Sequence, residues 1–408
     1  MKTIPHKTER LHSLDSLRAI MMLLGLVLHS AITYGVIDYA NVWPLKDPET
    51  TSLFNDFIVV FIHSFRMPIF FVVAGFFGSL LFYERNPLKM FKNRVSRIVL
   101  PFIVFLLILN PLNIFSFAYT ELLFSGSDTA FEATLSYFSN PLIFIPQMTF
   151  HLWFLYYLAL ITFVSVGLGL VFSKLSIVSN RISQAFSWII RKPVLRILVF
   201  AVLTCFVYFL MGTFQVETSY SLIPDLNTFI FFFFFYIIGW ILFKSKHLLD
   251  SIMRLDWICT FLGLVLFTIN FFMFSSLSFE MHIIANSVIV WLLIFGITGL
   301  FIRYGSKHSS TMRYISDSSY WVYLVHLSFA AIIPSFIVDW PLPATIKFLF
   351  VLISTGIICF VSYHYLVRGT FIGEFLNGRK YSRKLSDIKK AQEITELKPV
   401  ANTVYKNC

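Results

Sequence analysis

Charged residues are scarce in this chain of 408 residues, because Asp, Glu, Lys and Arg together make up only 13% of it. An average soluble protein carries about 25% charged residues. A disordered chain is excluded as well, since disorder requires low hydrophobicity and 57% of this sequence is hydrophobic. Cysteine is also rare, and the four cysteines have no metal-ligand or disulfide-framework spacing. These absences predict a polytopic membrane protein with no zinc site, no metal and no bound cofactor.

Long apolar stretches are what the sequence does contain. About 20 apolar residues are needed to cross the hydrocarbon core of a bilayer as a helix. Ten stretches are long enough, with approximate limits 17–38, 53–83, 98–118, 151–173, 196–215, 224–243, 255–276, 282–302, 317–337 and 346–367. The fold is therefore predicted to be all-α with about ten transmembrane helices. Because proline lacks a backbone donor, the second stretch is expected to tilt strongly or to break near Pro68.

The basic residues predict the orientation of these helices. Long segments lack Lys and Arg altogether: 98–173, 197–243, 255–302 and 314–346. Each covers two predicted spans and their connecting loop, so nearly all basic residues fall on one side, which the positive-inside rule assigns to the cytoplasm. We therefore expect both termini in the cytoplasm, a single membrane domain over 1–370 and a basic tail over 371–408. The net charge of +11 is then a topology signal, and no nucleic-acid partner is expected.

Ionisable residues inside membrane spans are costly and mark candidate functional sites. Arg18 and His29 in the first span are eleven residues apart, which places them on one helix face about 16 Å apart. His29 is then expected near the middle of the membrane, and Asp15 lies one turn before Arg18 and can pair with it. The alternative is an arginine that only sets topology and a histidine hydrogen-bonded to a neighbouring helix.

Three further arginines stand out. Arg66 lies about 18 Å from the outer end of the second span if the segment is helical, where an unpaired cation is not tolerated. It requires an anion, which is either Asp56 or another carboxylate of the protein, or a ligand. Arg94 and Arg97 share a helix face at the cytoplasmic mouth of the third span, where they suit a phosphate group or lipid headgroups equally well.

The remaining candidates are aromatic residues and histidines. Trp153 follows His151 at the outer start of the fourth span, and its position suits a membrane aromatic belt as well as a sugar-binding platform. Tyr323 and His326 lie in the ninth span, where His326 is either a packing histidine or a catalyst. His63 lies one turn before Arg66 in the second span.

These residues lie in segments that resemble the membrane acyltransferase 3 family. LDSLR followed by His29 resembles the family's Arg-X10-His signature, and Arg94 with Arg97 matches its Arg-X-X-Arg motif. The segments FFVVAGFF, HLWFL and SSYWVYLVH are also similar, in the same order. The resemblance covers most of residues 10–330 and is greatest to succinyltransferases of periplasmic osmoregulated glucans. Two positions differ: Ala74 replaces the usual serine, and Leu327 stands where a second histidine often follows.

The resemblance implies acyl transfer across the bacterial inner membrane, from cytoplasmic acyl-CoA, either succinyl-CoA or acetyl-CoA, to a hydroxyl of a periplasmic glucan. His29 would act as general base on that hydroxyl, because its pKa is naturally near neutrality. Arg18 would hold a donor phosphate or polarise the site, and Asp15 would orient Arg18. The expected partners are acyl-CoA, the glucan or another envelope polysaccharide, and membrane lipid.

The other candidates complete this expected site. Arg94 and Arg97 would bind the phosphates of CoA. Beyond the resemblance, the buried Arg66 would pair with the distal carboxylate of a succinyl group. Acceptor-binding or supporting roles are expected for His63, His151, Trp153, Tyr323 and His326. The alternatives are an O-acetyltransferase acting on another cell-envelope polysaccharide, and a transporter or flippase that uses the same residues as coupling sites.

Overall fold

The computed structural model describes residues 12–216, 218–307 and 309–383, and the helices dominate this part of the chain. No β-strand occurs among these residues. The helices are α1 (His12–Ala31), α2 (Leu53–Glu84), α3 (Pro87–Arg94), α4 (Leu100–Phe124), α5 (Ala130–Tyr137), α6 (Trp153–Lys174), α7 (Ser176–Ile190), α8 (Pro193–Met211), α9 (Leu226–Lys244), α10 (Leu249–Ile252), α11 (Asp256–Phe272), α12 (Phe279–Tyr304), α13 (Ser310–Ile332), α14 (Ala344–Ser362) and α15 (Phe371–Asn377).

The number of spanning helices confirms the prediction of about ten. Within the described ranges, nine helical segments are long and apolar enough to cross a membrane. A tenth is α11 together with the short helical stretch Lys246–Ile252, which meets it at a bend of 63°. The chain is therefore an all-α, multi-pass membrane protein. The side of the membrane on which each end lies remains the prediction made from the basic residues.

α2 is one continuous helix of 32 residues with Pro68 inside it, so of the two expected alternatives the break does not occur, and the tilt of this long helix remains a prediction. Pro68 is buried, and helices in membranes tolerate proline where neighbouring helices support them. The partner of α2 is α9, and the two backbones touch: a Cβ atom on Gly75 would meet the Tyr236 carbonyl, and one on Gly239 would meet the Val72 carbonyl. Only glycine permits this approach, which is typical of tightly packed membrane helices.

α1 occupies the centre of the bundle, where it packs against α2, α13 and α14. It ends at Ala31, and a short 3-10 turn continues to Tyr34, earlier than the predicted limit of residue 38. Gly35 ends this turn because the Asp56 carboxylate occupies the space that a side chain would need. His29 consequently lies closer to the end of its span than the expected mid-membrane position.

Residues 35–52 form a cap over this end of α1, and we name this end of the bundle the cap end. The cap is anchored by an ion pair between Asp47 and Lys347 of α14, whose Oδ2 and Nζ atoms are 3.0 Å apart and whose side chains are both fully buried. The Asp47 amide donates to the Thr33 carbonyl at 3.0 Å. The segment is thus fixed to α1 and to α14 at once.

The opposite end carries most of the basic residues and is named the basic end. His12 and Arg313 line one shallow pocket there, so α1 begins at this end. The start of the predicted tail also lies here, since Asn377 Nδ2 donates to the Asp317 carbonyl at 3.0 Å and Tyr381 Oη donates to Asp317 Oδ1 at 2.9 Å. Residues 371–383 therefore pack against the bundle, and residues 384–408 lie outside the described part of the chain.

Candidate active site

Three histidines from three separate parts of the chain meet beneath the cap. His29 projects from α1, His151 precedes α6, and His326 projects from α13. The ring centroids of His29 and His326 are 5.3 Å apart, and those of His151 and His326 are 5.2 Å apart. His326 is therefore the centre of a histidine cluster rather than an isolated packing residue.

The backbone fixes the tautomers of two of these rings. His326 Nδ1 is 2.7 Å from the Tyr323 carbonyl and 3.1 Å from that of Val322. Since a carbonyl can only accept, Nδ1 carries the proton and Nε2, which is buried without a partner, presents a lone pair. His151 has the opposite arrangement, because its Nε2 donates to the Leu324 carbonyl at 2.9 Å and its Nδ1 is buried without a partner.

Trp43 of the cap covers His29. Their rings stack with centroids 5.3 Å apart and an interplanar angle of 21°. The indole is itself held in place, because Trp43 Nε1 donates to Thr33 Oγ1 at 2.9 Å. The Nδ1 atom of His29 is buried without a hydrogen-bond partner. The cap thus orients the His29 ring through an aromatic contact and does not form a hydrogen bond with its Nδ1 atom.

Arg66 extends from α2 into the same space. A Cβ atom on Gly25 would collide with Arg66 Nη1 and would lie 3.8 Å from His326 Nε2, so the guanidinium and this nitrogen both lie over Gly25. Gly25 is one helical turn before His29 on α1. The absence of a side chain there allows the cation to reach the histidine cluster.

No carboxylate among the described residues pairs with Arg66, which is 9% exposed and whose Nε atom is buried without a partner. The pairing with Asp56 considered from the sequence is wrong. The Asp56 carboxylate instead accepts from the amides of Val36 at 2.6 Å and Ile37 at 3.2 Å, because the cap turns back at that point. Within the part of the chain that the structure describes, Arg66 is therefore a buried cation with no carboxylate partner.

The arginines near the basic end separate into two environments. Arg18 lies 3.5 Å from Asp15, as expected. Arg94 lies inside, within electrostatic range of Arg18, and its Nε and Nη2 atoms are buried without partners. Arg97 instead points to α15, where its Nη1 donates to the Phe375 carbonyl at 2.6 Å. Arg97 lies within the π-helical segment Val95–Val99 that directly follows Arg94, and this helix type is wider than an α-helix, so the two arginines do not share one face.

A large cavity opens beside this cluster at the cap end. Its volume is about 610 Å³, and it lies between α2, α8, α9, α11 and α12. His63 and Trp153 both line it, and His63 is exposed within it. Because His63 is three residues before Arg66 on the same helix, the cavity approaches the cluster to within one helical turn.

Tyr323 has a supporting position. Its Oη atom donates to the backbone carbonyl of His151 at 2.7 Å, and its ring centroid is 5.4 Å from that of His151. It thereby ties α13 to the start of α6. Trp153 is held in the cavity wall by Phe232, with ring centroids 5.4 Å apart.

Comparison with known proteins places this arrangement in a family. A family model described as "Acyltransferase domain" matches residues 11–364. The chain belongs to this acyltransferase family. It is also similar to proteins named "Glucans biosynthesis protein C" from Salmonella heidelberg, Salmonella agona and Salmonella dublin, each 33% identical over 178 residues, which are 43% of this chain and 42% of the relative. The chain thus matches less than half the length of these relatives. No solved structure matches it.

The geometry provides this acyltransferase with the groups that acyl transfer requires. A neutral imidazole with a free nitrogen can remove a proton from a hydroxyl. A buried cation such as Arg66 can stabilise negative charge more strongly than an exposed one, because the surroundings have a low dielectric constant. Arg94 retains two unpaired donors, Nε and Nη2, near the basic end. The predicted phosphate-binding role of Arg97 remains a prediction that this geometry does not favour.

Two functional features were not found from the sequence. Trp43 lies in a loop outside every predicted span and is not ionisable, so the sequence does not mark it as a functional residue. The meeting of His29, His151 and His326 depends on tertiary packing of α1 against α13. Within the predicted spans, His151 lies at the start of 151–173, whereas His29 and His326 lie near the middles of 17–38 and 317–337. Position within a span therefore does not predict that the three histidines meet.

Proposed function

We propose that this acyltransferase transfers a succinyl group from succinyl-CoA at the cytoplasmic face to a hydroxyl of a periplasmic glucan, in the bacterial inner membrane. The observation that carries the proposal is the buried Arg66 without a carboxylate partner beside the histidine cluster. A dicarboxylic acyl group brings the anion that this site lacks. The glucan acceptor is supported by the printed name of the relatives, "Glucans biosynthesis protein C".

The acyl transfer needs one base. His29 removes the proton from the glucan hydroxyl, the hydroxyl oxygen attacks the thioester carbonyl, and the carbon–sulfur bond breaks. CoA leaves as a thiolate and takes the proton from His29, so that no proton is gained or lost. His326, with its tautomer fixed by two carbonyls, is the second candidate for the base, since its Nε2 lone pair points into the same space.

The donor approaches from the basic end. Arg94, supported by Arg18 and Asp15, binds the phosphates of CoA, because unpaired guanidinium donors form strong charge-assisted hydrogen bonds with phosphate oxygens. Arg18 and His29 are eleven residues apart on α1, a rise of about 16 Å. The extended pantetheine arm of CoA bridges this distance and carries the thioester to His29.

Arg66 determines which acyl group is accepted. Its guanidinium lies over Gly25, next to His326 Nε2, where the distal carboxylate of a succinyl group lies when the thioester carbonyl is at His29. An acetyl group would leave the cation unpaired in the apolar interior, which is unfavourable. The site is therefore expected to prefer succinyl-CoA to acetyl-CoA.

The test compares both donors on the full-length protein in lipid nanodiscs with purified periplasmic glucan. Arg66→Leu should lower succinyl transfer about 30-fold, since a charge-assisted hydrogen bond is lost, and should affect acetyl transfer less. The matched control is Arg181→Leu, because Arg181 is exposed on α7. An Arg66→Leu protein that keeps the wild-type ratio of succinyl to acetyl transfer would overturn the role of Arg66. A wild-type protein that modifies no glucan would overturn the proposed acceptor.

A further inference from the structure

Two amide side chains in the cavity wall, those of Asn270 and Asn286, have no role in the proposed acyl transfer at His29. Asn270 of α11 donates through Nδ2 to Asn286 Oδ1 of α12 at 3.3 Å, and Asn286 Nδ2 donates to the Phe214 carbonyl at 2.9 Å. The Oδ1 atom of Asn270 is buried without a partner. Buried polar atoms are normally hydrogen-bonded. This oxygen is therefore an acceptor to which no described donor of the protein binds, and a ligand hydroxyl could donate to it.

The direct path to His29 from the cap end is closed. Trp43 stacks on the imidazole and is only 5% exposed. The cap that carries Trp43 is anchored by the fully buried pair of Asp47 and Lys347. A hydroxyl that reaches His29 must therefore come from beside the cap rather than through it.

The cavity provides such a lateral path. Its lining runs along α2 from Leu53 to Pro68, a separation that corresponds to about 22 Å of helix. His63 lies on this lining, one turn before Arg66, whose guanidinium lies over Gly25 of α1. The cavity is thus an elongated groove that runs along α2 from the cap end and passes within one helical turn of Arg66. Arg66 and the three histidines of the cluster lie next to this groove but do not line it.

The chemistry of the groove suits a neutral saccharide. The described lining residues include no Asp, Glu, Lys or Arg, so they do not select a charged ligand. Trp153 and Tyr208 supply aromatic surfaces with polar edges, onto which the apolar faces of sugar rings can stack. Asn270 offers a free acceptor, and an amide can both donate to and accept from hydroxyl groups. A few polar groups placed in an apolar wall are typical of specific binding sites.

We propose that this cavity is the acceptor groove of the enzyme, in which one end of a neutral saccharide chain enters beside the cap and is held by Asn270 and Asn286. The saccharide hydroxyl then reaches His29 past His63 and Arg66. This inference rests on the proposed function, because it assigns the binding site of the acceptor in that reaction.

The test measures binding and transfer separately on the full-length protein in nanodiscs. A purified glucose oligosaccharide is titrated without donor, and the KM values for glucan and for acyl-CoA are then determined. Asn270→Leu, which keeps the size of the side chain, should weaken oligosaccharide binding and raise the KM for glucan about fivefold, as expected for one lost hydrogen bond. The KM for acyl-CoA should not change. The matched control is Thr268→Val on the same helix, since Thr268 Oγ1 bonds only its own helix at the Leu264 carbonyl.

A second variant covers the case in which Asn270→Leu does not fold. Val60 lines the middle of the groove, and Val60→Trp should fill it and abolish oligosaccharide binding. Two results would overturn the inference: unchanged oligosaccharide binding in both variants, or a phospholipid chain in the groove that the oligosaccharide does not displace. Glucan modification by the wild type would still support the proposed function in either case. Asn270-dependent binding without any acyl transfer supports the groove and overturns the proposed function.

Discussion

Lys347→Met tests whether the anchor of the cap controls the environment of His29. The Nζ atom of Lys347 donates to Asp47 Oδ2 at 3.0 Å and to the Val338 carbonyl at 2.7 Å, and both charged side chains are fully buried. Methionine has a similar length and removes the charge. The Asp47 carboxylate is then left buried with only the amides of Glu49 and Thr50 as donors.

Removal of one partner of a buried ion pair costs about 3–5 kcal/mol. If this cost falls on the closure of the cap, the ratio of closed to open cap decreases by a factor of about 150 to 4000. The cap is tied to the 3-10 turn that follows α1 by two amides, since Asp47 N donates to the Thr33 carbonyl at 3.0 Å and Ser52 N donates to the Tyr34 carbonyl at 2.9 Å. Opening exposes both of these amides to solvent.

Hydrogen exchange followed by mass spectrometry measures this opening directly. In Lys347→Met, the amides of Asp47 and Ser52 should exchange about 100 times faster than in the wild type, and acyl transfer should fall because Trp43 no longer holds His29. The double variant Asp47→Asn with Lys347→Met should recover part of the protection, since no charge remains buried. The matched control is Lys46→Met, because Lys46 is an exposed cap residue whose Nζ donates only to the Val36 carbonyl. Wild-type exchange rates in Lys347→Met would refute the proposed anchoring.

Two further predictions concern the reacting groups. His29→Ala should reduce acyl transfer by about 100-fold or more, because the general base is lost. The measurement compares the mass and charge of glucans from cells with wild-type protein, with His29→Ala and with no protein, at matched expression. A larger loss in His326→Ala than in His29→Ala would assign the base to His326 instead. Arg94→Met should raise the KM for acyl-CoA about tenfold. Arg97→Met should leave that KM unchanged and lower the thermal midpoint of unfolding, because Arg97 holds α15 rather than the donor. A raised KM in both variants would contradict the assignment of donor binding to Arg94 alone.

The spanning helices were predictable because the bilayer imposes a local rule: a run of apolar residues of sufficient length forms a helix whatever its neighbours are. The shared face of Arg18 and His29 was predictable for a similar reason, since both lie on one helix of known periodicity. The pairing of Asp15 with Arg18 over 3.5 Å follows from the same periodicity. These features depend on residues that are close together in the sequence.

Features that depend on packing were not predictable in this way. Asp56 was one carboxylate considered for Arg66 from the sequence, but the turn of the chain at Gly35 brings the amides of Val36 and Ile37 to that carboxylate instead. Arg97 shares an i, i+3 spacing with Arg94, but a π-helical turn separates their directions. The choice between these arrangements is made by contacts between distant segments, which periodicity within one helix does not report.

The stacked pair of Trp43 and His29 has a consequence for the membrane itself. An enzyme that joins a donor from one side to an acceptor from the other contains polar groups along most of the membrane thickness, and such a path conducts protons and small ions unless an apolar barrier interrupts it. Trp43 and its anchored cap close the direct approach to His29 at the cap end. A loosened cap is therefore expected to raise proton leakage across vesicles that contain the protein, compared with the wild type.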